Sequence, residues 1–419
     1  MTPNILYTRQ ITLDILSQVL YKNQNLDDVF DKKTTDLSTQ DKSFIRMLST
    51  TCLRRKGQID SILKKLLEKK LPAKATIVQN VLRMAICQLI WMDVPAHAAV
   101  STAVDLTKSN NQTFYAKLVN GVLRNFLRQK ENLVDETNAG RINTPEWLFN
   151  EWVKDYGLPQ ATQIANANLT QATTFISTKE NPSKWTDKLN GTLNDTGSIE
   201  LPNTVYIPQL AGFNEGAWWV QDAAAALPVQ VFDDLNGKYV ADFCAAPGGK
   251  TAALLAKGAK VDAFDISEKR LKRVEENLKR LQFSARLIAQ DANKIDGKNI
   301  YDAILIDAPC SATGTIRRHP DLYFHRTMQD IEKLTQAQLK LLKTAHRLVK
   351  RNGQVVYCTC SLQKAEGEKV ISQIADLFEI LPITNPNLKN YLTAEGFVRT
   401  FPYQNKDGFF IAKLRKITK

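Results

Sequence analysis

The chain lacks several things, and each absence narrows what it can be. No apolar run approaches the ~18 residues of a membrane span. The first residues, Met1-Thr2-Pro3-Asn4, lead into a segment broken by Arg9 and Asp14, with no apolar core or small-residue cleavage site of a secretory leader. A cytoplasmic protein with no membrane association is therefore expected. Six cysteines (Cys52, Cys87, Cys244, Cys310, Cys358, Cys360) are scattered without a C-x-x-C pair. That spacing argues against a disulfide scaffold and a structural zinc site, so no metal is expected and reduced thiols fit a reducing compartment. Glycine and proline are almost missing from residues 1 to 140, which removes the punctuation that all-β folds need.

What is present in excess is positive charge. The 419 residues carry a formal net charge of +13 and a pI near 9.3, which favours an acidic polymer as partner. Residues 1–140 hold 20 Lys+Arg against 13 Asp+Glu, an excess of 7 that leaves 6 for the remainder. Neither part monopolises the basic character. The length predicts two or three domains, and a monomer is expected.

Residues 1–140 carry helical periodicity: Ile77, Val78, Val81, Leu82, Ala85 and Leu89 fall on one face of a single helix. Asp93-Val94-Pro95 stops that helix, Val100, Val104 and Thr107 lie along the next, and Phe114 to Arg128 forms another around Asn120-Gly121. An all-α domain is predicted. Basic residues cluster at Arg54-Arg55-Lys56, Lys64-Lys65, Lys69-Lys70 and Arg124-Arg128; they are candidate RNA contacts, although any one cluster could be a solvated helix face. Leu82-Arg83-Met84-Ala85, Asp93-Val94-Pro95, Val104-Asp105-Leu106 and Val119-Asn120-Gly121-Val122-Leu123-Arg124 resemble the pattern of the NusB antitermination-factor family. That resemblance implies a small helical RNA-binding fold.

Asp135 to Thr144 is polar and predicts a linker, Pro145 starts a short helix ending at Tyr156-Gly157, and about 170 to 205 predicts a small exposed α/β subdomain. From Lys238 strand and helix alternate, with strands at Tyr239–Ala241, Lys260–Phe264, 285–289, Tyr301–Ile306 and Gln354–Tyr357. Helices are expected from Ser267, the N-cap, to Gln282 and from Met328 to Lys350, the latter turning through Asn352-Gly353. Gly396-Phe397-Val398 and Phe409 to Ala412 predict an antiparallel pair at the sheet edge. The fold class is thus multidomain: an all-α N-terminal domain (1–140), a linker helix and small α/β subdomain (144–216), and an α/β Rossmann-like domain with a mostly parallel sheet (217–419).

In such a sheet ligands bind beyond the C-terminal strand ends. Asp242 to Thr251 sits at one of them, and within it Cys244, Ala245, Ala246, Pro247, Gly248, Gly249 and Lys250 bring small residues and two glycines where a backbone can approach a ligand. Asp265 ends the next strand, where a carboxylate can accept from ribose hydroxyls, and Asp291 follows the third, placed to meet a base. Either acid alone could simply cap a helix, but their succession predicts a nucleoside-containing cofactor. A phosphate-binding loop competes through Gly249-Lys250-Thr251. It would need glycine where Cys244 stands, and Pro247 removes a backbone donor.

Cys244 to Thr251, Asp307-Ala308-Pro309-Cys310-Ser311 and Thr359-Cys360-Ser361 together closely resemble the RNA 5-methylcytosine methyltransferase family, as do Val220-Gln221-Asp222, Asn277-Leu278-Lys279-Arg280 and Asp407-Gly408-Phe409-Phe410. With a NusB-like domain in front, the combination is similar to bacterial enzymes acting on small-subunit ribosomal RNA, and it covers the whole chain. The resemblance implies S-adenosyl-L-methionine as cofactor, with Asp307 also at its site, and RNA as partner. One departure follows Ser361, where Leu362 to Gly367 stands in place of a Pro-Glu-Glu-Asn-like run at the start of the following helix.

The chemistry needs a thiolate, which adds to C6 of a pyrimidine and makes C5 nucleophilic. Asp307 is the candidate acid near N3. Residue types alone leave the attacking cysteine open, since a Pro-Cys dipeptide is the nucleophile in DNA cytosine methyltransferases. The RNA family implies Cys360 as nucleophile and Cys310 in product release. Cys52, Cys87 and Cys358 are expected to be small buried hydrophobes. Transfer RNA as substrate, or a non-catalytic RNA-binding or antitermination factor, are the alternatives; the joint presence of Asp265, Asp291, Asp307, Cys310 and Cys360 weighs against the second.

Overall fold

The structure, a computed structural model, describes residues 5–202 and 205–417. Met1 to Asn4, read above for a leader, lie outside the described residues, as do positions 203 and 204 of the 170–205 segment. Among the described residues no helix is long and apolar enough to cross a membrane. The chain divides into two compact units, Met1–Thr170 with Ile316–Arg326, and Gln171–Thr315 with Thr327–Lys419.

The first unit is helical throughout, and two of its helices, Leu26–Thr34 and Thr39–Arg54, start where a short polar side chain satisfies a free backbone N–H. Asn25 accepts from Asp27 N at 2.9 Å, and Ser38 Oγ accepts from Asp41 N at 3.1 Å. Helix Thr76–Trp91 was expected to bury one face; Val78, Leu82, Arg83, Ile86 and Cys87 are all buried, so it is enclosed rather than amphipathic. A buried arginine needs a partner. Arg83 finds it in Asp60, at 2.7 Å from Nε and 2.9 Å from Nη2, with Tyr21 and Asn80 accepting from Nη1.

Two expectations fail in this unit. The stretch 135–144 is not a free linker: Ala139–Asn143 is a short helix, and Asn143 exchanges hydrogen bonds with Gln58 at 3.0 and 2.8 Å. Backbones meet so closely there that a Cβ on Gly57 would lie 2.1 Å from Ile142 O. The basic cluster Arg54-Arg55-Lys56 is not a free RNA face either. Arg54 is buried and donates to Arg317 O at 2.8 Å, Arg55 pairs with Glu136 and Lys56 with Asp60, each at 2.8 Å. Lys64, Lys65, Lys69, Lys70, Arg124 and Arg128 are exposed.

The second unit holds two sheets. The smaller is antiparallel, order β2-β3-β1-β4, from β1 (Phe175–Thr178), β2 (Thr192–Leu193), β3 (Ile199–Glu200) and β4 (Trp218–Val220), and closes over Ile176, Leu189, Ile199 and Trp218. The larger contains β5 (Tyr239–Phe243), β6 (Lys260–Asp265), β7 (Arg286–Ala289), β8 (Tyr301–Asp307), β9 (Val349–Thr359), β10 (Phe378–Ile380), β11 (Val398–Arg399) and β12 (Phe410–Lys416). Its order is β10-β12-β9-β8-β5-β6-β7, parallel from β9 to β7. The expected antiparallel pair forms between β11 and β12, but β12 lies inside the sheet against β9 and β10 forms the edge beyond it.

Alternate residues of the parallel strands bury to opposite faces, as both-sided coverage requires. Ile304, Ile306 and Tyr357 pack on helix Met328–Leu348, while Val240, Leu305 and Val356 pack on the side of Leu254 in helix Gly249–Ala256. The expected turn at Asn352-Gly353 is instead taken into β9, with the register against β8 shifting between Tyr301 and Ala303. The domain boundaries near 140, 144 and 217 also differ from the observed units: residues to Thr170 join the helices, the small sheet joins the large one, and Ile316–Arg326 packs in the helical unit.

Candidate active site

The strand order reverses between β5 and β8, so their C-terminal ends flank the crevice where an open α/β sheet binds ligands. Period-two alternation carries Asp242, Asp307 and Cys358 onto the face of Val240, Leu305 and Val356, toward the helix that bears Lys250 and Thr251. The contacts follow from that placement. Lys250 Nζ lies 2.7 Å from Asp307 Oδ2 and 5.1 Å from the centre of the Phe409 ring, and Cys358 donates to Asp307 Oδ1 at 3.6 Å. Burial alone would lower the pKa of the Lys250 ammonium; the Asp307 carboxylate outweighs it and holds it above its ordinary value. Cys358, expected to be a plain buried hydrophobe, is buried and also an Asp307 partner.

The two cysteines of interest meet. Cys310 Sγ and Cys360 Sγ are 3.4 Å apart, both half-buried. The hydrogen bond to Cys360, then burial, pushes the Cys310 thiol well above its ordinary pKa.

The loop after β5 is shaped by its own backbone. Cys244 takes φ +62° and Gly248 φ +100°, a conformation that suits glycine and leaves the N-terminus of helix Gly249–Ala256 without a side-chain cap. Burial, then Asp307, pushes the Cys244 thiol up to about 12. Asp265 is buried with its carboxylate engaged: Oδ2 accepts from Ala246 N at 3.3 Å and sits 3.2 Å from Arg270, and Oδ1 accepts from Ser267 N at 3.0 Å. It therefore ties the Cys244–Lys250 loop to the end of β6. Asp291 caps the turn after β7, accepting from Asn293 N at 3.0 Å, and Gln290 N donates to Asp265 O at 3.1 Å, which brings those strand ends together. Ser267 is the N-cap expected of it.

Other motif residues act as scaffold. Arg270 donates to Ala246 O at 2.8 Å and Asn277 to Pro247 O at 3.2 Å, so one helix holds the loop from outside. Asp222 accepts from Asp407 N at 3.0 Å, joining two of the quoted motifs. The sequence reading missed three residues. Asp242 is fully buried, accepts from Thr251 Oγ1 at 2.6 Å and leaves Oδ1 without a hydrogen-bond partner; burial, then the Asp307 and Asp265 charges, pushes it up to about 7. An acid inside the apolar run Val240-Ala241-Asp242-Phe243 was the available signal. Ile266 stands 77% exposed beside Asp265, an apolar face where polarity would be the default. Glu366 is buried behind the two cysteines.

Comparison with known proteins bears on the family and the fold. The family model described as 16S rRNA methyltransferase RsmB/F matches residues 229–415, and the NusB family model matches residues 7–128. The ribosomal RNA small subunit methyltransferase B of Pasteurella multocida is 34% identical over 442 residues, spanning 99% of this chain and 97% of that protein. The chain belongs to this methyltransferase family. The methyltransferase homolog protein from Pyrococcus horikoshii, 28% identical, superposes with a TM-score of 0.55 over 65% of this chain and all of that one. The crystal structure of PH0851, 24% identical, shares the fold over 98% of this chain and 99% of its own, with a TM-score of 0.78. The family's two-part architecture, NusB-like helices before a methyltransferase domain, is the one the sequence predicted.

Proposed function

We propose that this chain transfers a methyl group from S-adenosylmethionine to C5 of a cytosine in small-subunit ribosomal RNA, with Cys360 as nucleophile and Cys310 in product release. The observation that carries the reading is the 3.4 Å thiol pair beside the Lys250–Asp307 ion pair, at the C-terminal ends of β8 and β9. Two thiols alone would fit other chemistry. Two thiols beside an acid and a cation match what a C6 addition requires.

The residues at the ends of β5 to β7 fit the cofactor by their chemistry. Asp265 and Asp291 supply acceptors for ribose and base, Ile266 an apolar face, and the uncapped N-terminus of helix Gly249–Ala256 donors for a carboxylate. When bound, the cofactor supplies the methyl group on a sulfonium. Everything else falls to the chain's own residues. Cys360 Sγ bonds to C6 as its thiolate, and the electron pair displaced from the ring is met at N3 by a proton held on the Asp307–Lys250 pair. After C5 is methylated, Cys310 as thiolate takes the C5 proton, the C5–C6 double bond reforms, the C6–S bond breaks to return the Cys360 thiolate, and the N3 proton passes back to the Asp307–Lys250 pair.

The test is methyl transfer from labelled cofactor to total RNA, with mapping of the modified base. Label in cytosine of small-subunit ribosomal RNA is expected; label in transfer RNA would change the substrate, and no label would remove the reading. Cys360→Ala should abolish turnover and any covalent protein–RNA species. Cys310→Ala should accumulate an adduct that survives denaturing electrophoresis, and the double variant should lose it. If Cys360→Ala is the variant that traps RNA, the two roles are reversed.

A further inference from the structure

The residues after the two cysteines converge on one carboxylate. Ser311 follows Cys310 and Ser361 follows Cys360. Glu366 Oε1 accepts from Ser311 N at 2.8 Å and from Gln338 Nε2 at 3.2 Å, while Oε2 accepts from Ser361 Oγ at 2.6 Å and from Ser311 Oγ. The two serine hydroxyls are 3.1 Å apart. Gln338 reaches back to Pro309 O at 2.9 Å, on the other side of Cys310. The backbone of Glu366 is fixed as well, its carbonyl accepting from Tyr357 OH at 2.8 Å. A buried carboxylate is costly unless donors surround it; here the donors come from the two thiol-bearing loops. Glu366 falls in the Leu362–Gly367 stretch that departs from the family pattern in its other positions.

We propose that Glu366 is a positioning residue that clamps the Cys310 and Cys360 loops at the spacing that attack and release share. The role rests on the reading of the two cysteines given above. Glu366 touches neither substrate nor thiol in this arrangement; it acts through Ser311 and Ser361. An isosteric amide loses the charge that strengthens these bonds and places an N–H that the serine hydroxyls meet only by turning their own protons away, so E366Q keeps the shape and weakens the clamp.

The clamp can be read without methylation. Diamide, an azo oxidant, takes two electrons and two protons from a pair of neighbouring thiols and leaves an S–S bond, so the rate of Cys310–Cys360 closure in the full chain reports their spacing. E366Q should close several-fold more slowly, and kcat should fall on the order of 100-fold, as a misplacement of about 1 Å can cause. The KM for S-adenosylmethionine and the thermal midpoint should stay near wild type. Closure and kcat unchanged from wild type would overturn the proposal, and so would lost kcat with unchanged closure. Should E366Q fail to fold, Ser311→Ala and Ser361→Ala decide: slower closure in either supports the clamp, and wild-type closure in both overturns it. If the wild-type protein methylates no cytosine, the functional reading fails while the closure series still judges the clamp.

Discussion

The two units treat buried charge differently. In the helical unit carboxylates are paired with cations, buried Arg83 with Asp60 and half-buried Asp27 with Arg46 and with His319 at 3.2 Å, while buried Arg54 rests on a carbonyl. Burial alone would raise the Asp27 carboxyl, but the hydrogen bond from His319 and the Arg46 charge pull it well below the ordinary range. In the methyltransferase unit, acids of like sign gather at one end of one sheet. Asp242, Asp265 and Asp307 come from three adjacent strands, and the crowding adds to burial in pushing Asp242 up to about 7. Neutralised charge holds a fold together; crowded charge stores a polarity that a cationic ligand can relieve.

The sharpest way to break that contrast is in the helical unit. Arg83→Ala should leave Asp60 with Lys56 alone and cost about 2–4 kcal/mol in chemical denaturation, through the lost charge-assisted hydrogen bonds to Asp60 and the buried acceptor left on Asn80. Cofactor affinity should not move. A loss of cofactor binding with unchanged stability would mean that the pair serves the site rather than the fold.

On the other side, Asp265→Ala should weaken S-adenosylmethionine binding by roughly 1–3 kcal/mol, from stranded ribose hydroxyls and a loosened Ala246. RNA affinity should hardly change. Calorimetry returning wild-type cofactor affinity would take Asp265 out of the site.

Much of this was legible in the residues themselves. The parallel strands, the loop Cys244–Lys250 and the Ser267 cap follow from local pattern, because apolar alternation and cap chemistry are short-range. What was illegible depends on partners distant in sequence. The polar composition of 135–144 is the same whether a segment floats or docks, and only Gln58 reaching Asn143 decides it. Arg54 looked like a solvated cation until a carbonyl 263 residues away buried it. The same cause hid the Ile316–Arg326 segment, which continues the Cys310 loop yet belongs by packing to the helical unit: Asp321 accepts from Leu26 N at 3.1 Å and His325 Nε2 lies 2.9 Å from Val19 O. Glu366 was passed over because a glutamate in a charged surface-like run gives no sign of burial.

The smallest effect tests the crowded side of the contrast directly. A carboxyl whose folded pKa is raised holds its proton more tightly folded than unfolded. Its stabilising contribution is therefore complete below the ordinary range, about 4, and is lost as pH rises through the folded value, about 7. Asp242→Asn cannot titrate. It should still accept from Thr251, at some fixed cost for turning an amide N–H toward the side where Oδ1 has no partner. The thermal midpoint of wild type should therefore fall relative to the variant between about pH 4 and pH 7, while any offset between them stays constant outside the titration range. Adding S-adenosylmethionine should reduce the slope, because a bound cation favours the ionised carboxylate. Parallel curves for the two proteins over that range would mean that Asp242 titrates as an ordinary acid and that the strand ends are less crowded with charge than their geometry implies.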